Sequence, residues 1–136
     1  MDTYKVMKLF LAIITCLVTS LINANPKVYF INLEEGDKIK SPFLIQFGLS
    51  NMGIAPAGMD RVNTGHHHLL INVNDIDLSK PIPSSSSHIH FGGGQTESLV
   101  ELLPGNYSMQ LVLGDMTHTP HDPPVISQKI NITVID

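Results

Sequence analysis

In the stretch FLIQFGLS, Phe43 to Ser50, apolar side chains fall on every second position, at Phe43, Ile45, Phe47 and Leu49. A period of two gathers them on one face of an extended strand, whereas a helix of 3.6 residues per turn would scatter them. The same alternation puts Tyr107, Met109, Leu111 and Leu113 on one face of NYSMQLVLG, and Ile126, Ile130, Ile132 and Val134 on one side of the closing segment. Val28 to Leu33, His66 to Val73, HIHF and TESLVELL complete a set of seven short segments between clusters of Gly, Pro, Asn and Asp. No stretch after Asn25 carries a convincing helical period. The expected fold is all-β: an immunoglobulin-like antiparallel β-sandwich of about seven strands, with a small Greek-key barrel as the alternative.

The first residues do not belong to that pattern. Lys5 and Lys8 precede the uncharged apolar run LFLAIITCLVTSLI, and Ala24 follows as a small residue at a cleavage point. Residues 1–24 read as a secretory signal peptide, because the run is shorter than the roughly 20 residues that a membrane-crossing helix needs. Residues 25–136 are then a single β-sandwich domain, periplasmic or secreted, with no stable membrane span after cleavage. Removing the leader takes away the only cysteine, Cys16, so no disulfide or thiolate ligand is available. It also removes Lys5, Lys8 and Asp2, which moves the formal charge from −4 to −5. That balance argues against a nucleic-acid partner.

The chemistry sits in seven histidines. If successive strands reverse direction, connecting loops alternate between the two ends of the sandwich. His66 to His68 then open a strand at the same end where His88 and His90 close one. His118 and His121 lie in a loop at that end too, so all seven histidines are expected at one pole. His-X-His on a strand sets two imidazoles on one face about 7 Å apart, close enough to share a metal ion. His66 and His68 have this spacing, as do His88 and His90. His67 shares its face with Leu69, Ile71 and Val73, and is expected to cap the core edge by hydrogen bonding. The expected metal ligands are therefore His66, His68, His88, His90, His118 and His121. A copper or zinc ion suits such a nitrogen set, with Asp60, Glu97, Asp115 or Asp122 able to add oxygen and Met52, Met59 or Met116 a soft thioether.

Other motifs yield less. Gly92 to Gly94 lack the Lys-Ser/Thr and the helix of a phosphate loop, and instead suit a positive-φ turn or a close approach of backbone to the histidine pole. Ser85 to Ser87 beside His88 lack a nucleophile-elbow setting. The loop NDIDLSKPIPSSSS has no periodicity and its serine run reads as a flexible connector. No catalytic residue is assigned.

The strings VYFINLEEGDKIKSPFLIQFGLSNMGIAPAG, NTGHHHLLIN, HIHFGGGQTE and LVLGDMTHTPHDPPVIS together resemble a small exported bacterial domain family of unknown function. That resemblance spans nearly all of the chain after the leader and implies export, with the histidines grouped as a signature. In export, size and histidine content the chain is also similar to periplasmic copper carriers built on β-sandwiches. HIHFGG resembles the His-X-His of copper-zinc superoxide dismutases, but the cysteine pair and the long zinc loop of those enzymes are absent. The expected function is transition-metal binding, copper first and zinc second, for storage or delivery. The alternative is a metal-independent module for an envelope protein or other ligand, whose histidines order the loops. Catalysis by a metal-bound water would need an open coordination position.

Overall fold

The computed structural model describes residues 24–136, so the expected signal peptide lies outside the described residues except for Ala24. Among the described residues there is no helix, and two sheets face each other as a β-sandwich. The smaller sheet has the order β1 (Lys27–Phe30), β3 (Phe43–Ser50), β7 (Glu97–Val100), all antiparallel. The larger follows β2 (Lys38–Lys40), β9 (Ile130–Ile135), β8 (Gly105–Gly114), β5 (Thr64–Ile71), β4 (Gly53–Ile54), with β6 (His88–His90) also on β5. The sequence reading missed β2 and β4, which have three and two residues and join the sheet edge in parallel. Elements so short carry no visible period.

The alternating segments behave as their period requires. Phe43, Ile45 and Phe47 of β3 meet Met109, Leu111 and Leu113 of β8 and Ile130, Ile132 and Val134 of β9 in one core, which Val28, Val100, Leu69 and Ile71 complete. Ile126 does not join them, being exposed and bridged to Val112 outside any strand. At the entry to β8 the Tyr107 hydroxyl donates to the Leu103 carbonyl at 2.8 Å, the local tie that fixes corners in antiparallel sandwiches.

The long loop after β5 is not a mere connector. Ile82 is buried and packs with Leu70 and Val112 on the outer face of the larger sheet, with Val73 and Ile76 beside them. Burial of these side chains lays the loop across that face. Its serine run is equally committed, because Ser85 and His88 exchange backbone hydrogen bonds at 3.1 and 3.2 Å. Sequence reasoning took the absence of periodicity for flexibility, but three well-spaced apolar side chains are enough to anchor a loop.

The assignment of faces predicts a contrast. Leu111→Ala should cost about 2–5 kcal/mol through the cavity it leaves, whereas Leu99→Ala, 68 % exposed on the smaller sheet, should stay within about 0.5 kcal/mol. Urea unfolding of both variants measures this directly.

Candidate metal centre

Strand β5 divides its histidines by face. Its even positions, His66, His68 and Leu70, point to the outer side of the larger sheet, and its odd positions, His67, Leu69 and Ile71, enter the core. Register then brings the remaining parts together. On one edge of β5, His68 pairs with His90; on the other, His66 pairs with Gly114 and His68 with Val112. The loop that follows β8 folds back so that His118 also faces this surface.

Four imidazoles meet there. One ring nitrogen each from His66, His68, His90 and His118 lies within 4.8 Å of the others. His68 Nε2 is 3.0 Å from His66 Nε2, which is 3.1 Å from His118 Nδ1. With metal–nitrogen bonds of about 2.0–2.1 Å, neighbouring ligands would stand about 2.9 Å apart in a square and about 3.3 Å apart in a tetrahedron. The two short separations fall inside that range. His66 and His68 are fully buried and His90 and His118 half-buried. Within this cluster His66 Nδ1, His68 Nδ1 and His90 Nε2 are buried without a hydrogen-bond partner.

Burial controls the charge. Desolvation, reinforced by the neighbouring imidazoles of His118 and His90, pushes the His66 pKa down to about 4, against a smaller opposing pull from Asp115. Desolvation and then His66 push His68 down to about 3. His90 is lowered by desolvation and by His118. His66 and His68 are therefore neutral at pH 7 and present lone pairs, the form that a metal ion requires.

Small residues and a structured loop make room for these rings. A Cβ on Gly114 would sit 2.8 Å from His68 Nε2, and one on Gly92 would overlap the His90 ring. His118 has a φ of 68°, a left-handed conformation uncommon outside glycine though one that His adopts more readily than most residues, and its loop is held by Asp115. The Asp115 Oδ1 accepts from the Thr117 and Thr119 backbone N–H groups at 2.7 and 3.0 Å and from the Thr117 hydroxyl at 2.7 Å. Burial alone would raise the Asp115 pKa, but these bonds outweigh it and hold the carboxylate below its usual range. The Ile82 N–H donates to the His118 carbonyl at 2.8 Å, tying the long loop to this one.

The other three histidines are not part of this group of four. His67 turns into the core and packs on Phe47, ring centroids 5.1 Å apart. Its ring nitrogens are buried and lack a well-formed hydrogen bond, with only the backbone of Gln95 and Gly48 near enough to interact, so it fills the core chiefly as an aromatic ring. Desolvation lowers its pKa, which the nearby backbone of Gln95 and Gly48 opposes only in part. His88 lies one pleat beyond His90, opposite Leu70, with Nδ1 at 3.0 Å from both the Ser85 and Ser87 hydroxyls. His121 Nε2 is buried against Gly65, whose added Cβ would meet it at 2.8 Å. Counting strand reversals gives the end at which a residue lies, but not the face it takes. Sequence reasoning missed Gly114 and Asp115 as supports, whereas Gly92 makes the close approach to a histidine expected of the glycine run. The GGG after HIHF was the one available signal, and Gly94 does have a positive φ of 79°.

A family model described as a domain of unknown function, DUF4399, matches residues 45–135. The chain belongs to this family. The matched region takes in all seven histidines, the long loop and both supporting glycines. No curated protein and no solved structure matches the chain.

The lowered pKa values fix a sign. Between about pH 6.5 and pH 4 the unfolded chain binds protons at His66 and His68 that the folded metal-free protein refuses, so stability falls as pH falls through this window. For His66 alone the loss is on the order of 3 kcal/mol. Denaturant unfolding of chelator-treated protein at pH 7.5, 6.0 and 5.0, above the carboxylate range, should show that decline; a flat profile would contradict the neutral cluster.

Proposed function

We propose that this DUF4399 protein binds one transition-metal ion through His66, His68, His90 and His118, copper first and zinc second, for storage or delivery. The observation that carries the reading is the convergence of four imidazole nitrogens within 4.8 Å on a face where His66 and His68 are held neutral. Imidazole suits both ions, and the usual stability order of divalent metals puts copper above zinc. Four protein nitrogens fill a four-coordinate shell and leave no position for a reactive water, which favours retention over turnover. The basic and then apolar start of the chain supports export to the periplasm or beyond.

A second reading has one observation in its favour. The run His68–His66–His118, at hydrogen-bond distances, could by itself order the loops of a metal-independent module for an envelope partner. Thermal melting separates the two, since a metal bound only by the folded state at 100 times its Kd adds about 2.7 kcal/mol of stability. A hydrogen-bonded network alone gives full stability after chelation and no shift on adding copper or zinc.

Titration of tag-free protein should find one Cu(II) or Zn(II) ion per chain with sub-micromolar affinity. His90→Ala and Gly114→Ala should each weaken binding by at least tenfold, the second because its methyl group displaces His68. His88→Ala should leave affinity within a few-fold of wild type. Absence of sub-micromolar binding, or affinity indifferent to His90→Ala, overturns the assignment.

A further inference from the structure

We infer that a second metal site, selective for monovalent copper, lies in the cavity lined by Met52, Met59, Met116 and His121. It does not depend on the four-histidine reading, and shares no ligand with it.

The cavity has a volume of about 510 Å³, and three of the chain's six methionines line it together with His121. They come from three separate segments. Met52 follows Asn51, whose φ of 62° turns the chain at the end of β3, and it packs partly on the main core. Met59 follows Gly58, a turn residue with a φ of 80° whose N–H donates to the Met116 carbonyl at 2.9 Å. That bond holds the two loops side by side. His121 belongs to the loop that also carries Met116, and its Nε2 is buried with no hydrogen-bond partner.

Two features distinguish this lining from ordinary packing. Met59 and Met116 are 52 % and 41 % exposed, so they contribute little to any core. His121 Nε2 is packed against Gly65, so the nitrogen that His121 offers the cavity is Nδ1, which is not among its buried atoms and is engaged by no hydrogen bond. Thioether sulfur and imidazole nitrogen are neutral, polarisable donors, a set that suits Cu(I) and serves Zn(II) poorly. The same cavity is lined by Asp60 and Asp122, whose charge favours a cation, and by Arg61, which opposes it. Asp115 also reaches the lining, but its Oδ1 is engaged by Thr117 and Thr119. The ligand set is thus sulfur and nitrogen, in contrast to the all-nitrogen cluster on the outer face.

The test is anaerobic titration of Cu(I) against a chromophoric Cu(I) chelator, with X-ray absorption at the copper edge, on intact wild type, on His90→Ala and on Met59→Leu/Met116→Leu. Leucine keeps the volume and removes sulfur. The site predicts Cu–S scattering in wild type and in His90→Ala. In the double leucine variant that scattering should vanish and Cu(I) affinity should drop at least tenfold, while zinc affinity and melting temperature hold. Nitrogen-only scattering in wild type, or Cu(I) affinity unchanged by the leucines, overturns the inference. Loss of zinc binding by wild type would count against the four-histidine centre and leave this site standing.

Discussion

Strand β5 is paired along both edges, with β8 on one side and β6 and β4 on the other, and its register sets where every other part of the outer face can lie. The pleat does the sorting. Leu69 and Ile71 must enter the core, so His67 enters with them, and His66 and His68 are forced to the opposite face. A slip of one residue would bury His66 and His68 between the sheets and expose Leu69. The hydrophobic pattern therefore fixes the histidine arrangement as firmly as it fixes the core.

An outer face carrying two histidines from one strand would ordinarily be wet, and wet imidazoles stay near their ordinary pKa. Two loops change that. The segment after β5 lays Ile76 and Ile82 over Leu70 and Val112, and the Asp115 turn brings His118 across the end of β5. The Ile82–His118 backbone bond joins these loops to each other. Close cover demands small residues beneath it, which Gly114 and Gly92 provide. The low pKa values of His66 and His68 are thus a property of the covering loops, since the strand alone would leave both rings in water.

This division of labour explains what could be read from the sequence. The alternation in β3, β8 and β9 is visible because each strand is long enough for a period of two to show, and the core followed from it. The pairing of His66 with His68 and the separation of His67 were legible for the same reason. The exclusion of His88 and His121 was not, because face and distance along the sheet depend on cross-strand register, which β5 and β6 settle only on pairing. Ile76 and Ile82 sit in a polar, proline-containing loop without period, so nothing local marks them as cover. Asp115 reads in sequence as a loop carboxylate, and only the turn it closes reveals that it sets the place of His118.

The arrangement of ring nitrogens bears on what the cluster is for. His66 Nε2 faces both His68 Nε2 and His118 Nδ1, yet a neutral imidazole nitrogen carries either one hydrogen or one lone pair. If it donates, the hydrogen is shared between two acceptors; if it accepts, one lone pair serves two donors. His90, whose ring centroid is 5.0 Å from that of His66 and 4.5 Å from that of His118, stands beside this run of rings without a hydrogen bond to it, its Nε2 buried and without a partner. Protonation would supply more hydrogens, but it places positive charge in a desolvated site among neighbouring imidazoles, which is why the pKa values of His66 and His68 fall. A single metal cation resolves the conflict differently, because it accepts one lone pair from each ring at once and requires no hydrogen at the centre. Two buried and two half-buried imidazoles this close are compatible with such a bound ion.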